Sequence, residues 1–508
     1  MPLDLTQGRD LAVALLPELI LTAWAMLVLL IAAWRHRAPN AQRQVGWLSL
    51  VGVILAIAAC GWLWSRGARA AGLPTGMALD SFRWAAGIVV LLGTALSIVM
   101  AIGYLDREQI TIPEYHVMVL FAAIGALFLV GGSDLIVLFL GLELMSIAVY
   151  VLAGINRRSI FSAEAALKYF LLGAFASAFL LYGIALLYGV TGSTRLALVA
   201  ATVPYLQGGS RLLIMAGIAF LIIGFAFKVA AVPFHQWAPD VYDGAPTPAT
   251  AFMAATVKAA AFAAFARVLL QGLGQLHHDW SGVLWWLAVL TMVAGNLLAL
   301  AQRSLKRMLA YSSVAHAGYL LTALVSGSLA GAAALLFYLL FYTLVTVAAF
   351  GVLMAKGRPG GGERDVTVDD LAGLAQSEPV LGFVMAVAML TLLGFPGTAG
   401  FIGKWYILTS AAGAGHAPLA AVLVLTSVLS AGYYLPVVMA IYMKPRLHER
   451  VHDDVQLAGV ARGLLAALAL ALVLFGVWPN RVLRAARDGS QAFRAHSAAT
   501  IQPVSDER

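Results

Sequence analysis

Long apolar runs separated by short polar segments repeat along the whole chain of 508 residues. Each run is about 20 residues long, the length that a helix needs to cross a bilayer. The runs are continuously apolar and do not alternate with polar residues, so they predict membrane-spanning helices and exclude a β-barrel. Asp134 follows two glycines and a serine and is typical of a helix start. We predict about fourteen spans, at 11–34, 46–65, 84–105, 115–131, 134–154, 162–189, 211–232, 248–271, 280–302, 305–325, 330–355, 380–412, 417–443 and 459–478.

Two of these spans contain or meet residues that break helices. The seventh span runs into Pro233, and the twelfth is longer than one crossing and is interrupted around Pro396. The chain would cross the membrane in opposite directions at the two breaks. Paired breaks of this kind predict an inverted internal repeat with a site near the middle of the membrane.

The predicted fold class is an all-α polytopic membrane protein, with two inverted five-helix repeats that contain the broken helices. A single membrane domain covers 1–508. Within it we expect an N-terminal three-helix segment at 1–105, repeats at 115–271 and 280–443, and a last helix with a C-terminal tail at 459–508.

Composition narrows the class of function. The chain is 62% hydrophobic and 11% charged, and its single cysteine, Cys60, permits neither an intrachain disulfide nor a cysteine-ligated cluster. We find no glycine-rich nucleotide loop and no paired histidines for haem, so we expect no cofactor and no redox step in this chain. The net charge of +8 comes largely from basic residues in alternate loops, and the positive-inside rule predicts that these loops lie in the cytoplasm. The charge therefore does not indicate nucleic-acid binding. The basic tail after Trp478 goes against this bias.

Ionisable residues inside the predicted spans are the candidate functional residues. They are Glu143, Lys168, Lys228, Lys258 and Lys404. Each would cost roughly 2.5–3.5 kcal/mol at the centre of a bilayer if left unpaired. Burial lowers the pKa of a lysine and raises that of a glutamate, while an opposite charge does the reverse, so a moving partner can load or release a proton. The five residues therefore predict a proton path, and Lys228, beside a helix break, is the hardest to explain by structure alone.

Structural roles remain open for the others. Glu143 could pair with a basic residue of another subunit, and Lys168 could pair with Glu164 one helical turn away. Lys258 could extend its amine to the membrane surface or hold a loop, and Lys404 could extend outward in the same way.

Other polar residues near the breaks have weaker signals. His235 and His316 could relay protons or be buried, hydrogen-bonded structural histidines. Asp240 and Asp243 are expected to cap or turn the connector after the seventh span. Arg267 is expected to extend to the membrane surface from a helix end.

Five motifs carry a resemblance that extends over essentially the whole chain. They are GLELMSIAVYVLAG, AEAALKYFLLGAFASAFLLYG, FKVAAVPFHQWAPDVYDGAPTP, RSLKRMLAYSSVAHAGY and LLGFPGTAGFIGKWYI. The chain resembles the antiporter-like membrane subunits of respiratory complex I, and among them the subunit N family of bacterial NADH-quinone oxidoreductase. The AEAALKYF motif favours N over M, and the short tail after Trp478 disfavours L.

This resemblance implies roles for the same residues. Glu143 and Lys228 would form the input pair, Lys258 would continue the path at mid-membrane, and Lys404 would end it. Lys168 matches a sixth-helix lysine of the N family, which favours a functional role over a local pair.

The resemblance also implies an activity and partners. The chain would be a proton-translocating subunit of NADH:quinone oxidoreductase, driven by quinone reduction elsewhere, in the inner membrane of a bacterium. Subunits M, K and J and membrane lipids would be its neighbours, and FMN, iron–sulfur clusters and quinone would belong to other subunits. Two alternatives stay open: an Mrp-type cation/proton antiporter subunit, and a structural spacer that moves no protons.

Overall fold

A computed structural model describes residues 1–35, 38, 40–70, 76–357, 364, 366–445 and 459–493. Within this part of the chain nearly all regular structure is helical, as predicted. The exception is a parallel pair of two-residue strands, Pro2–Leu3 and Arg69–Ala70, with a few isolated bridges.

Thirteen helices of the described residues are long and apolar enough to cross a membrane. One more span, the twelfth, is divided into two shorter helices, α12a and α12b, which agrees with the prediction of about fourteen spans. The elements are α1 Leu16–Trp34, α2 Ala41–Ser65, α3 Ser81–Arg107, α4 Glu114–Gly131, α5 Leu135–Ala153, α6 Ile160–Thr191, α7 Gly208–Val229, α8 Thr247–Gly272, α9 Gly274–Leu300, α10 Leu305–Val325, α11 Leu329–Lys356, α12a Pro379–Leu393, α12b Ala399–Gly413, α13 Ala417–Met443 and α14 Gly459–Val477. A connector helix, Trp237–Gly244, lies between α7 and α8, and a C-terminal helix, Asn480–Ser490, follows α14.

Local chemistry explains where several helices begin and end. The Asp134 carboxylate accepts a hydrogen bond from the Ile136 amide at 2.8 Å and so caps α5, as predicted. α7 ends at Val229 because Ala230 is left-handed, with φ 61°, and cannot continue the helix. Gly394, with φ 83°, ends α12a in the same way, so both predicted breaks are present.

Burial identifies the centre of the molecule. α8, α10 and α11 are almost entirely enclosed by the other helices, whereas only a third or fewer of the residues of α1, α6, α13 and α14 are buried. Ionisable side chains on the central helices are therefore shielded by protein from the lipid. The two five-span repeats remain a prediction.

Arg267 does not extend to the membrane surface, contrary to the prediction. It is 0% exposed on α8, and its guanidinium pairs with Asp80 at 2.7 Å, just before α3. It also donates to the Val130 carbonyl at 3.2 Å. A buried guanidinium needs such partners because it cannot lose its charge.

Candidate functional site

Glu143 lies half-buried on α5, where this helix meets α6. Its carboxylate accepts a hydrogen bond from the Ser177 hydroxyl of α6. The ion pairs of the described residues do not include one between Glu143 and Lys228, so the predicted input pair is not a direct salt bridge in this structure.

Lys228 is 4% exposed in the last turn of α7. Its amine donates to the Ser146 hydroxyl at 2.7 Å and to the Tyr169 hydroxyl at 3.2 Å. The amine also lies 5.9 Å from the centre of the Tyr150 ring. Two hydroxyls and aromatic faces therefore surround this amine.

A small cavity connects the surroundings of Glu143 and Lys228. Ser146, Ser177 and Lys228 are among the residues that line it, and its open volume is about 10 Å³. This is close to the space that one water molecule needs. Because Ser177 contacts the acid and Ser146 contacts the amine, the cavity gives the two groups an indirect, hydroxyl-lined connection.

Lys258 is 2% exposed on α8, directly after a π-helical turn at Met253–Val257. Its amine donates to the carbonyl oxygen of Ser313 at 2.7 Å and also contacts the Ser313 hydroxyl. The Tyr342 ring lies 5.9 Å away. This second amine, like the first, is held by oxygen atoms and an aromatic ring.

His316 lies three residues after Ser313 on the same face of α10, because residues three or four apart on a helix are neighbours. Its Nδ1 is 2.7 Å from the Tyr338 hydroxyl, and its Nε2 is 3.2 Å from the Tyr434 hydroxyl. The Tyr434 hydroxyl also contacts the hydroxyl of Ser312. Helices α10, α11 and α13 thus meet in a buried hydrogen-bonded group centred on His316.

Lys404 lies on α12b, just after the second break, and is 6% exposed. Its amine donates to the Leu393 carbonyl at 3.0 Å, an oxygen that the end of α12a leaves without a helical partner. The amine also lies 4.6 Å from the centre of the Tyr319 ring, and that ring is 5.3 Å from the ring of His316. We call Lys228, Lys258 and Lys404 the lysine row.

Lys168 lies on α6 with 40% of its side chain exposed. Its amine is 2.7 Å from Glu164 and 2.7 Å from Asp240 of the connector helix. The local pair considered in the sequence is therefore present, together with a second carboxylate. The contacts of the described residues do not join Lys168 to the lysine row.

The two aspartates of the connector helix make ion pairs, and no side chain caps the start of this helix. Asp240 pairs with Arg307 of α10 at 2.9 Å, and Asp243 pairs with Arg364 at 2.8 Å. Burial raises the pKa of Asp240, but hydrogen bonds from Lys168 and Arg307 outweigh this effect and hold the pKa below its usual value. We call these contacts, with the Lys168 pairs, the connector ion pairs.

The two histidines predicted as possible relays lie in different environments. His316 is joined to the surroundings of Lys258 and Lys404, as described above. His235 is half-buried between α7 and the connector helix, and burial lowers its pKa. Its Nδ1 has no hydrogen-bond partner among the described residues.

Comparisons with known proteins identify the family. The family described as NADH:quinone oxidoreductase/Mrp antiporter, TM, matches residues 132–430. The NADH-quinone oxidoreductase subunit N of Gemmatimonas aurantiaca is 48% identical over 500 residues, which cover 96% of this chain and 95% of the relative. The chain belongs to the NADH-quinone oxidoreductase subunit N family. The resemblance predicted from the five motifs is thereby confirmed.

Solved structures have the same fold. A chain of respiratory complex I from Thermus thermophilus with bound aureothin is 36% identical, with a TM-score of 0.78 over 92% of this chain and 98% of that chain. A chain of the Mrp complex from Dietzia sp. DQ12-45-1b has a TM-score of 0.80, with 96% and 98% of the two chains covered, but is 21% identical. At that identity the likeness shows the fold alone, so the sequence places this chain with the subunit N family.

Most partners of Glu143, His316 and the lysine row could not be found from the sequence. Ser146, Ser177, Tyr169, Tyr338 and Tyr434 carry no signal of their own, because serine and tyrosine are common inside helical membrane proteins. What they share is a position that faces an ionisable group, with Ser177 half-buried and the other four buried. In the described part of the chain there is no group of three or more His, Cys, Asp or Glu side chains that could hold a metal.

Proposed function

We propose that this chain is the proton-translocating subunit N of a bacterial NADH:quinone oxidoreductase, driven by quinone reduction in other subunits. The main support is the lysine row, which is buried on three helices with hydroxyls, backbone carbonyls and aromatic rings around its amines. Buried amines inside a membrane are costly and indicate function. The likeness to the subunit N family supports the same conclusion.

The chemistry of the partners suits proton transfer. A hydroxyl can accept a hydrogen bond from an ammonium group and can donate one to a neutral amine. Ser146, Tyr169 and the Ser313 hydroxyl can therefore stabilise their lysines in either protonation state. We infer that protons pass in the order Glu143, Lys228, Lys258 and Lys404, with water between the groups.

For two of the three transfers on this path, the structure offers intervening residues. Between Glu143 and Lys228 the transfer would use the cavity lined by Ser146 and Ser177. Between Lys258 and Lys404 it would use His316 and the hydroxyls that contact it. Lys168, outside the row, would feed protons to the path or adjust it.

The proposal also implies a membrane, neighbouring subunits and cofactors outside this chain. It would lie in the inner membrane of a bacterium beside subunits M, K and J. FMN, the iron–sulfur clusters and quinone would belong to other subunits, and this chain would perform no redox step.

Substitution of Lys228 tests the function. Lys228→Met keeps the apolar stem and removes the amine, so we expect the assembled complex to lose proton pumping, or the quinone-reductase turnover that pumping is tied to. The measurement is proton uptake by inverted membrane vesicles, with turnover and the amount of assembled complex measured alongside. Lys444→Met is the matched control, because Lys444 lies on the surface and pairs only with the exposed Asp369 among the described residues.

Full pumping by an assembled Lys228→Met complex would contradict the proposal. If Lys258→Met and Lys404→Met pump fully as well, the chain is a structural spacer.

A further inference from the structure

The connector helix touches the Lys228 site. The Trp237 indole donates to the Phe227 carbonyl at 2.9 Å, one residue before Lys228. The indole also stacks on Tyr169 with a centroid distance of 4.4 Å and an interplanar angle of 7°. Because Tyr169 accepts a hydrogen bond from Lys228, Trp237 fixes the orientation of one of the two hydroxyl partners of that lysine.

The same helix touches the Lys258 site. Tyr242 is buried, and its hydroxyl interacts with the hydroxyl of Ser313, the residue that holds Lys258. Its backbone carbonyl accepts a hydrogen bond from Thr250 of α8 at 2.8 Å. Trp237 and Tyr242 also contact each other edge to face, with their rings 5.8 Å apart. One short helix therefore supports partners of two lysines of the row.

The opposite side of the connector helix carries the connector ion pairs. Through Asp240 it is tied to Lys168 of α6 and to Arg307 of α10, and through Asp243 it is tied to Arg364. Arg307 also approaches Asp243 at 3.9 Å. The pairs thus fix an eight-residue helix to two long helices, α6 and α10.

Stability alone does not explain so many charges on so short a helix. Arg307, Lys168 and Asp240 are each about a third exposed or more, and ion pairs of that exposure contribute roughly 0–1 kcal/mol. Their geometric effect is larger, because together they set both the position and the rotation of the connector helix.

We propose that Asp240 and Asp243 are positioning residues that set the hydrogen-bond geometry of Lys228 and Lys258 through Trp237 and Tyr242. The inference rests on the proposed function of the lysine row. A shift of the connector helix moves Tyr169 and Ser313 at the same time, so the two lysine sites change together. In the described structure, the aspartates make no ion pair with Lys228, Lys258 or Lys404 themselves.

A double-mutant cycle tests this role. Asp240→Asn removes the charge and keeps the shape, and we expect the number of protons pumped per electron to fall. Effects of substitutions at residues in contact are usually coupled and do not simply add. In a Trp237→Phe background the same substitution should add little, because its effect passes through Trp237. The measurement is the pumping ratio in vesicles, normalised to the assembled complex, with turnover measured separately. A loss of stability would lower the amount of complex and leave this ratio unchanged.

The matched control is Glu164→Gln. It removes the other carboxylate on Lys168 with the same change of charge, but leaves every ion pair of the connector helix in place. We expect its pumping ratio to equal that of the wild type. Should Asp240→Asn fail to assemble, Arg307→Gln replaces it in the cycle, since Arg307 contacts both aspartates.

Each outcome decides the inference. An unchanged ratio in Asp240→Asn, or effects of Asp240→Asn and Trp237→Phe that simply add, overturns the positioning role. If one of these results is found while Lys228→Met abolishes pumping in the same assay, only the positioning role has failed. If Lys228→Met pumps fully, the proposed function has failed and the inference falls with it.

Discussion

At the scale of single residues, the lysine row is notable for its neutral partners. Among the ion pairs of the described residues, none involves Lys228, Lys258 or Lys404. Their amines contact hydroxyls, backbone carbonyls and aromatic faces. A carboxylate would hold the proton on its lysine, whereas a hydroxyl accommodates both protonation states. The choice of partner therefore favours transfer over storage of the proton.

A substitution of Tyr434 tests whether hydroxyl partners take part in proton transfer. Tyr434→Phe removes the hydroxyl between Ser312 and His316, and we expect slower pumping because the contact between Ser312 and His316 is cut. Two buried polar groups lose a partner, so the free energy of unfolding should fall by about 1–3 kcal/mol. Vesicle pumping and thermal stability of the purified complex measure the two effects.

Tyr115→Phe is the control with the same chemical change. Tyr115 is buried on α4, and its hydroxyl has no hydrogen-bond partner in the described structure. Its loss should therefore leave pumping unchanged and should not lower the stability, because no hydrogen bond is broken. Equal behaviour of the two variants would exclude a role for the Tyr434 hydroxyl.

At the scale of elements, close helix packing places the first residues of the path. α4 and α5 cross at Gly125 and Gly141, where backbones face each other directly. Small residues at such crossings let membrane helices approach closely. α5 carries Glu143 and Ser146 within two turns of this crossing, so its distance from α4 fixes where both side chains lie.

Gly141→Ala tests the importance of this crossing. An added Cβ would lie 2.6 Å from the Leu129 amide nitrogen of α4, so the helices must separate. We expect a loss of about 1–3 kcal/mol in stability, as for other overpacked sites, and slower pumping because Glu143 and Ser146 move.

Gly103→Ala serves for comparison within α3. An added methyl group there meets no atom within 4 Å, and alanine favours the helix by about 0.5–1 kcal/mol over glycine. Thermal unfolding of the two variants should therefore shift in opposite directions. A shift in the same direction would contradict the packing argument.

At the scale of the whole molecule, buried ion pairs attach the N-terminal helices to the centre. Arg83 of α3 pairs with Glu18 of α1 at 2.8 Å, with both side chains buried. Arg267 of central helix α8 pairs with Asp80. Of these charges, Arg267 is the one that was predicted to reach the membrane surface, and both pairs join segments far apart in the chain.

Asp80→Asn should weaken this attachment. The substitution leaves the buried Arg267 charge without its partner, which costs about 3–5 kcal/mol. Burial raises the pKa of Asp80, but the charge and hydrogen bonds of Arg267, together with the amide and charge of Arg83, outweigh it and hold the pKa below its usual value. The stabilisation is therefore present above the ordinary aspartate pKa and is lost as the pH falls through the lowered one.

Heat-induced loss of this chain from the purified complex, followed at several pH values, measures the effect. Asp279→Asn breaks the exposed pair with Arg211 and should cost about 0–1 kcal/mol. Similar losses from both variants would show that the buried pair stabilises the protein no more than the exposed pair does.

The sequence by itself determined the spans, the breaks and the ionisable residues. Apolar length marks a membrane helix, Pro233 and Pro396 lie within a few residues of the two breaks, and Asp134 begins a helix, because each acts on the backbone close to its own position. A charge inside an apolar run is equally visible, which is why Lys228, Lys258 and Lys404 stand out from the hydropathy pattern alone.

Only the tertiary structure decided what those charges contact. The Ser146 partner of Lys228 is 82 residues away in the chain, and the Tyr434 partner of His316 is 118 residues away. Nothing local distinguishes that tyrosine from Tyr115, whose hydroxyl has no partner among the described residues. The wrong expectation for Arg267 has the same origin, since hydropathy describes the exchange of a side chain between water and lipid. It does not describe which other helix supplies a carboxylate, and that depends on how the helices pack.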